Sequence, residues 1–407
     1  MTVPSRKRPE IVAPAGNLEK LKFAVLYGAD SVYFGGEEHN LRIQSDNFTR
    51  GDIGEALDFC KKHGAGTIFL MNSFLHEKDI PAAARYIGEM KGFPFDAVMV
   101  SDPGMMALVR ESGAPWKVHL STQMSTLNHL AVRFWHRAGV DRIVLAREAT
   151  LEEIRMVRDN TDAEIEVFVH GALCVAYSGR CLLSRFMAGR DANRGDCAQA
   201  CRWRYSLVEE KREGSHLDII EHASGTEILS SKDLCLIDRL AEYIDAGVDA
   251  LKIEGRMKSI YYSANTARIY RHAAECAGTP GFEKNLPFYR EELDLVSHRP
   301  YTADVFNEFD GEGFGPVPYI RKAMFMGYSA GTATDGASLV KTFNPIRPNE
   351  TLEAIFPITD TVQDDRFLVK EIRDSEGTIV DLARPNALYR ITFDRELGEN
   401  AILRKRL

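Results

Sequence analysis

Eight short runs rich in valine and isoleucine recur through the first two thirds of the chain, each separated from the next by a longer amphipathic stretch. They are EIVAPA (10–15), SVYFGG (31–36), GTIFLMN (66–72), DAVMVSD (96–102), KVHLSTQ (117–123), RIVLARE (142–148), EIEVFVHG (164–171) and DALKIEGR (249–256). Gly, Asn, Asp or charged residues bound each run, as they bound parallel strands buried on both faces. Between them lie helix patterns such as NLEKLKFAVLYGA, GDIGEALDFCKKHG and DIPAAARYIGEMKG, several ending in the glycine that stops a helix. CLIDRLAEYIDAG precedes the eighth run and SIYYSANTARIYRHAAECAG follows it. Eight strand–helix units in a row predict a (β/α)8 TIM-like barrel over residues 1–278 rather than an open doubly wound sheet. No GxGxxG follows the first run, so a dinucleotide-binding fold has no support.

From 279 to 319 the periodicity fades into Pro, Gly and aromatic residues, which predicts a linker wrapping the barrel. Beyond it, MGYSAGTAT, SLVKTF, LEAIFPI, RFLVKEI, TIVDLA and ALYRITF have the length and composition of short strands, with the turn DSEG (374–377) between two of them. A small C-terminal β-barrel over 320–407 is the expectation. The basic tail RKR (404–406) reads as a frayed terminus.

The chemistry concentrates between the seventh and eighth strands. Cys174, Cys181, Cys197 and Cys201 fall within 28 residues, and Cys235 follows 34 positions later. Cys60 and Cys276 are the other two cysteines, both in helical stretches where a buried apolar thiol is ordinary. The opening MTVPSRKRPE carries no apolar signal segment, so a cytoplasmic protein with reduced thiols is expected, and disulfides are disfavoured. Zinc favours tight Cys-x2-Cys knuckles, and none occurs. An iron–sulfur cluster accepts thiolates from several loops at varied spacing, which makes it the preferred reading, with zinc as the rival. Six arginines, at 180, 185, 190, 194, 202 and 204, share the stretch with Asp191 and Asp196. Cations there would balance a thiolate-bound cluster, bind phosphate or a dicarboxylate, or simply form a solvated basic loop.

In a barrel this cysteine-rich insertion (171–235) follows strand seven and lies at the C-terminal face, where active sites sit. Gln123, Arg147, Glu148, His170, Glu254, Arg256 and Lys258 end other strands on the same face. His170 near Cys174 invites a thiol-peptidase reading, yet one activated thiol would suffice for that, and no GxSxG or HExxH occurs. The net charge of −8 leaves no global basic field, so contact with nucleic acid must be local. No stretch of about 20 apolar residues is present to span a membrane.

HGALCVAYSGRCLLS, NRGDCAQACRWRY, LKIEGRMKS and the N-terminal EIVAPAGNLEKLKFAVLYGADSVYFGG together resemble the collagenase-like peptidase family of unknown catalytic type. The resemblance covers nearly the whole chain. It implies a 4Fe-4S cluster on four cysteines and oxygen-independent hydroxylation. In one branch uridine at the tRNA wobble position becomes 5-hydroxyuridine with prephenate as hydroxyl donor. Other branches act on ribosomal RNA or on quinone precursors, and the family name itself implies a peptidase. Length and the appended barrel match the tRNA branch best. By resemblance Cys174, Cys181 and Cys197 are cluster ligands, with Cys201 as the fourth and Cys235 as the alternative. An arginine clamp at Arg147 or Arg256 would suit the two carboxylates of prephenate, and His170 or Glu254 would move protons. The expected RNA partner is the tRNA anticodon loop, whose bases leave their stack easily.

Overall fold

The structure is a computed structural model that describes residues 8–41, 46–174, 176–200, 220–222, 225–227, 232–303, 319–357 and 364–407. All eight expected strands form: Glu10–Pro14, Ser31–Phe34, Gly66–Met71, Ala97–Val100, Lys117–Leu120, Arg142–Val144, Glu164–Ala172 and Ala250–Ile253. They pair in parallel in sequence order, and Ala250–Ile253 pairs with both the first and the seventh, closing the barrel. Helices follow where the periodicity placed them, for example Leu18–Leu26, Arg50–His63 and Ile260–Cys276. Local chemistry sets their ends. Thr49 and Asp52 form a capping box at the second of these, and Gly64 closes it in the left-handed region with φ 69°.

The lower half of the barrel is filled by charge. Lys252 reaches Glu166 at 2.5 Å, and Arg142 binds Glu10 (2.6 Å), Glu164 (2.7 Å) and Glu166 (3.4 Å). Burial pushes the Glu166 carboxyl up, but Lys252 and Arg142 together hold it below the usual carboxylate range. His119 belongs to the same layer, and burial pushes it down to about 3.

The second domain is a closed six-stranded antiparallel barrel: Ala323–Thr332, Ser338–Thr342, Thr351–Ile355, Asp364–Arg373, Leu388–Phe393 and Ile402–Arg406. Three expectations need correction. The stretch expected as linker contains a helix, Pro280–Leu295, with Phe282, Leu286, Tyr289 and Leu293 buried along one face. Pro280 occupies the first turn, where a missing N–H costs nothing, and Pro287 is carried inside by that packing. TIVDLA forms no strand, only isolated bridges at Ile379 and Ala383. The tail is not frayed: Ile402–Arg406 is the strand that closes the small barrel. Arg404 is fully buried there, bonded bidentately to Glu292 (2.7 Å each) and to Glu353 (3.1 Å). Glu292 lies on the Pro280–Leu295 helix, so this arginine ties the two domains together. The Tyr27 hydroxyl adds a second tie, between the carbonyls of Ile355 (2.8 Å) and Asn400 (2.9 Å) and the N–H of Ile402.

Candidate functional site

The seventh strand ends in the cysteine-rich insertion, and that insertion is anchored to the barrel mouth. Glu148, just past strand six, is buried and accepts from the Ser178 N–H (2.6 Å) and hydroxyl (2.8 Å). Ser178 is held at φ 48°, an uncommon conformation for a side-chain-bearing residue, and two bonds to a carboxylate offset its strain. Asn193 fastens the next turn, accepting from Cys181 N (3.2 Å) and donating to Cys181 O (3.0 Å).

Cys174, Cys181 and Cys197 come together in this insertion. Cys174 is exposed as a residue, yet enough protein surrounds its sulfur that desolvation raises its pKa. The Ala176 N–H and the Arg147 guanidinium oppose that rise, while Cys181 and Cys197 add to it, so both lie near enough to act on the Cys174 thiol. Among the described residues no three His, Cys, Asp or Glu side chains converge as ligands of a single ion. Cys201 lies outside the described residues, as do Arg202, Trp203 and Arg204. Cys235 takes a different place. It sits on a short strand, Asp233–Cys235, antiparallel to the end of strand seven and opposite His170. Its sulfur is 3.8 Å from the Tyr270 hydroxyl, and burial pushes it up to about 11.

The strand-end residues divide into two groups. Arg147 lies with its guanidinium 3.9 Å from the centroid of the Phe168 ring, a cation–π contact beside Cys174. Arg256 is buried and donates to Asn40 (3.2 Å) and Asn47 (2.9 Å). Gly16 and Gly35 leave room for it: a Cβ at Gly35 would stand 3.2 Å from its guanidinium. The Glu254 carboxylate makes no hydrogen bond or ion pair among the described residues, although its backbone carbonyl accepts from Tyr262 (3.0 Å). These three follow the C-terminal ends of their strands. His170, by contrast, is buried and ringed by Tyr262, Tyr270 and Tyr301 at 5.3–5.8 Å between centroids. Its Nδ1 is 3.3 Å from the Tyr270 hydroxyl, and burial pushes its pKa down to about 3, so it is neutral at physiological pH. Gln123 is buried and accepts from Ser101 (2.7 Å), and Lys258 donates to the Ser297 carbonyl (3.0 Å).

Sequence reasoning missed Asn40, Asn47 and Lys20. The loop GGEEHNLRIQSDNF after strand two carried the signal, since two asparagines in a loop at the C-terminal face are acceptors available to a strand-end arginine. Burial lowers the pKa of Lys20, which shares its surroundings with Asp46 and Arg256.

The profile of peptidase family U32 matches residues 16–312, and this chain belongs to that family. It is 38% identical to tRNA hydroxylation protein P1 of Bacillus subtilis (strain 168), over 98% of this chain and 95% of that one. It is 40% identical to the 23S rRNA 5-hydroxycytidine C2501 synthase of Escherichia coli (strain K12), over 67% of this chain and 40% of that one. It is also 38% identical to a collagenase of Porphyromonas gingivalis (strain ATCC BAA-308 / W83), over 72% of each chain.

Proposed function

We propose that this chain is an RNA hydroxylase, and specifically that it forms 5-hydroxyuridine at the wobble position of tRNA, with prephenate as hydroxyl donor and a 4Fe-4S cluster as cofactor. The observation that carries the reading is the gathering of Cys174, Cys181 and Cys197 beside the Arg147 cation at the barrel mouth. The names of the bacterial relatives support the substrate class. The donor set suits the cofactor: thiolates from separate turns of one insertion, two of those turns pinned by Glu148 and Asn193. Cys174, Cys181 and Cys197 would supply three ligands, and Cys201 or Cys235 the fourth. Such a cluster supplies electron transfer.

The chain's own residues do the rest. Arg147, stacked on Phe168, presents a fixed positive charge to an anionic co-substrate. Arg256, aligned by Asn40 and Asn47, presents a second, and the pair suits two carboxylates. Glu254, free of ion pairs among the described residues, takes up a proton at its carboxylate. His170 stays neutral and holds Tyr270 rather than meeting substrate. Its burial also weighs against a thiol peptidase, because no hydrogen bond joins it to Cys174. Among the described residues no helix is long and apolar enough to cross a membrane, and a cytoplasmic site of action is part of the proposal.

Nucleoside analysis of tRNA from a deletion strain tests it. Loss of 5-hydroxyuridine, restored by the wild-type gene but not by a Cys174→Ala copy, is expected. Unchanged 5-hydroxyuridine in a strain without a paralogue overturns the tRNA assignment. Gelatin cleavage that survives Cys174→Ala and Cys181→Ala favours a peptidase instead.

A further inference from the structure

A cavity of about 410 Å³ opens between the loop after strand three and the cysteine-rich insertion, lined by Phe74, His76, Arg180, Leu182, Asp191, Asn193 and Arg194. That volume lies in the range of small-ligand sites. Asn193 is its hub: besides clamping Cys181, its carbonyl accepts from the Phe74 N–H (3.2 Å). Arg180 and Leu182 flank Cys181 in the chain, so an occupant of the cavity would sit one residue from a cluster ligand.

The charges in the cavity are unequal. Arg194 is neutralised by Asp79 at 2.8 Å. The Asp191 carboxylate accepts from the Asn193 N–H (3.0 Å) and faces Arg185 at 4.0 Å. Arg180 meets only the Met124 sulfur (3.6 Å) and the Phe74 ring (5.4 Å to its centroid), with no ion pair among the described residues. Of the lining arginines, Arg180 is thus the one without a carboxylate partner among the described residues, and it stands beside an aromatic face. A dicarboxylate calls for two cations, whereas a nucleotide presents one phosphate and one base to stack. Along the same insertion Tyr177, Leu182 and Phe186 are 47%, 74% and 86% exposed, and the exposed Arg185 stands 4.0 Å from Asp191. Exposed apolar side chains interleaved with arginines are how single-stranded nucleic acid is gripped.

We propose that this cavity is a nucleotide subsite: a base adjoining the modified one stacks on Phe74, and Arg180 holds its phosphate. The proposal rests on the RNA-hydroxylase reading. It is tested by fluorescence anisotropy of a labelled anticodon stem–loop with the full chain over a salt series. Phe74→Ala should weaken binding by about 5- to 150-fold, the effect of one lost stack, and leave the salt dependence unchanged. Arg180→Gln should lower the slope of log K against log salt by about 0.7, one phosphate contact on a single strand. Thermal melts of both variants matched to wild type exclude misfolding as the cause. If wild type binds the RNA and both variants bind it with the same affinity and slope, the subsite is refuted while the function stands. If wild type itself does not bind, the hydroxylase reading falls and takes the subsite with it. Normal RNA binding with lost hydroxylation assigns the cavity to a small molecule and also overturns the proposal.

Discussion

Arg404 and Lys405 are adjacent in a tail whose sequence suggests a loose end, yet the structure predicts opposite consequences for changing them. The Arg404 side chain is wholly enclosed and bonds Glu292, Glu353 and the Tyr261 hydroxyl (3.0 Å). The Lys405 side chain is 44% exposed and meets Glu350 at 3.0 Å. Removing one partner of a buried ion pair costs about 3–5 kcal/mol, because the other charge is left in a poor solvent. Arg404→Met belongs at the lower end of that range. Glu292 keeps Arg268 at 2.8 Å, Glu353 keeps Arg406 at 2.8 Å, and methionine replaces most of the stem without a large cavity. For 407 residues, with an unfolding entropy of about 2.1 cal/mol/K per residue, about 3 kcal/mol lowers Tm by about 3–4 °C. Lys405→Ala removes an exposed pair worth under about 1 kcal/mol and should shift Tm by about 1 °C or less. Differential scanning calorimetry of the two variants beside wild type decides. Equal, small shifts would refute the claim that the tail closes the small barrel and binds it to the large one.

Cys174→Ala, Cys181→Ala and Cys197→Ala should each abolish bound iron after anaerobic reconstitution, while Cys60→Ala, in a buried helix face, should retain it; iron assays on the purified variants check this. Of Cys201→Ala and Cys235→Ala, one should lose the iron and the other keep it, which identifies the fourth ligand. Acid should destabilise the fold early. His119 and His170 are pushed down to about 3 by burial, so between the unfolded value near 6.5 and that value the unfolded chain binds protons that the folded chain refuses. Stability is complete above about pH 6.5 and falls as pH drops, by up to about 2.7 kcal/mol per unit for the two together, and denaturant titrations at pH 7, 6 and 5 should show the loss shrinking in a His119→Gln, His170→Gln double variant. Glu148→Ala leaves the Ser178 N–H and hydroxyl without their acceptor, costs about 1–3 kcal/mol, and should speed amide exchange in 176–200 more than in the barrel strands.

The barrel was legible because its strands are largely buried and written as short runs dominated by apolar residues, such as GTIFLMN or DAVMVSD. The elements that escaped are those whose stability comes from partners far along the chain. Pro287 reads as a breaker, but packing at Phe282, Leu286 and Tyr289 outweighs it. Arg404 reads as solvent-facing, but Glu292, 112 positions away, neutralises it. The site shows the same division. Cysteine spacing and strand-end polarity singled out the C-terminal ends of the strands, where Arg147, Glu254 and Arg256 follow Arg142–Val144 and Ala250–Ile253. His170 ends a strand as they do, but three tyrosines from two other segments, Ile260–Cys276 and Tyr301–Thr302, enclose it, and nothing in its own neighbourhood announces them.

The central claim is that the clustered cysteines hold a redox cluster. Iron, acid-labile sulfide and zinc per chain should be measured on protein purified without oxygen, with visible spectra before and after dithionite. The account predicts about four irons and four sulfides per chain and absorption that bleaches on reduction. One tightly held zinc without sulfide would contradict it, leaving the cysteines structural and the hydroxylase mechanism without its cofactor.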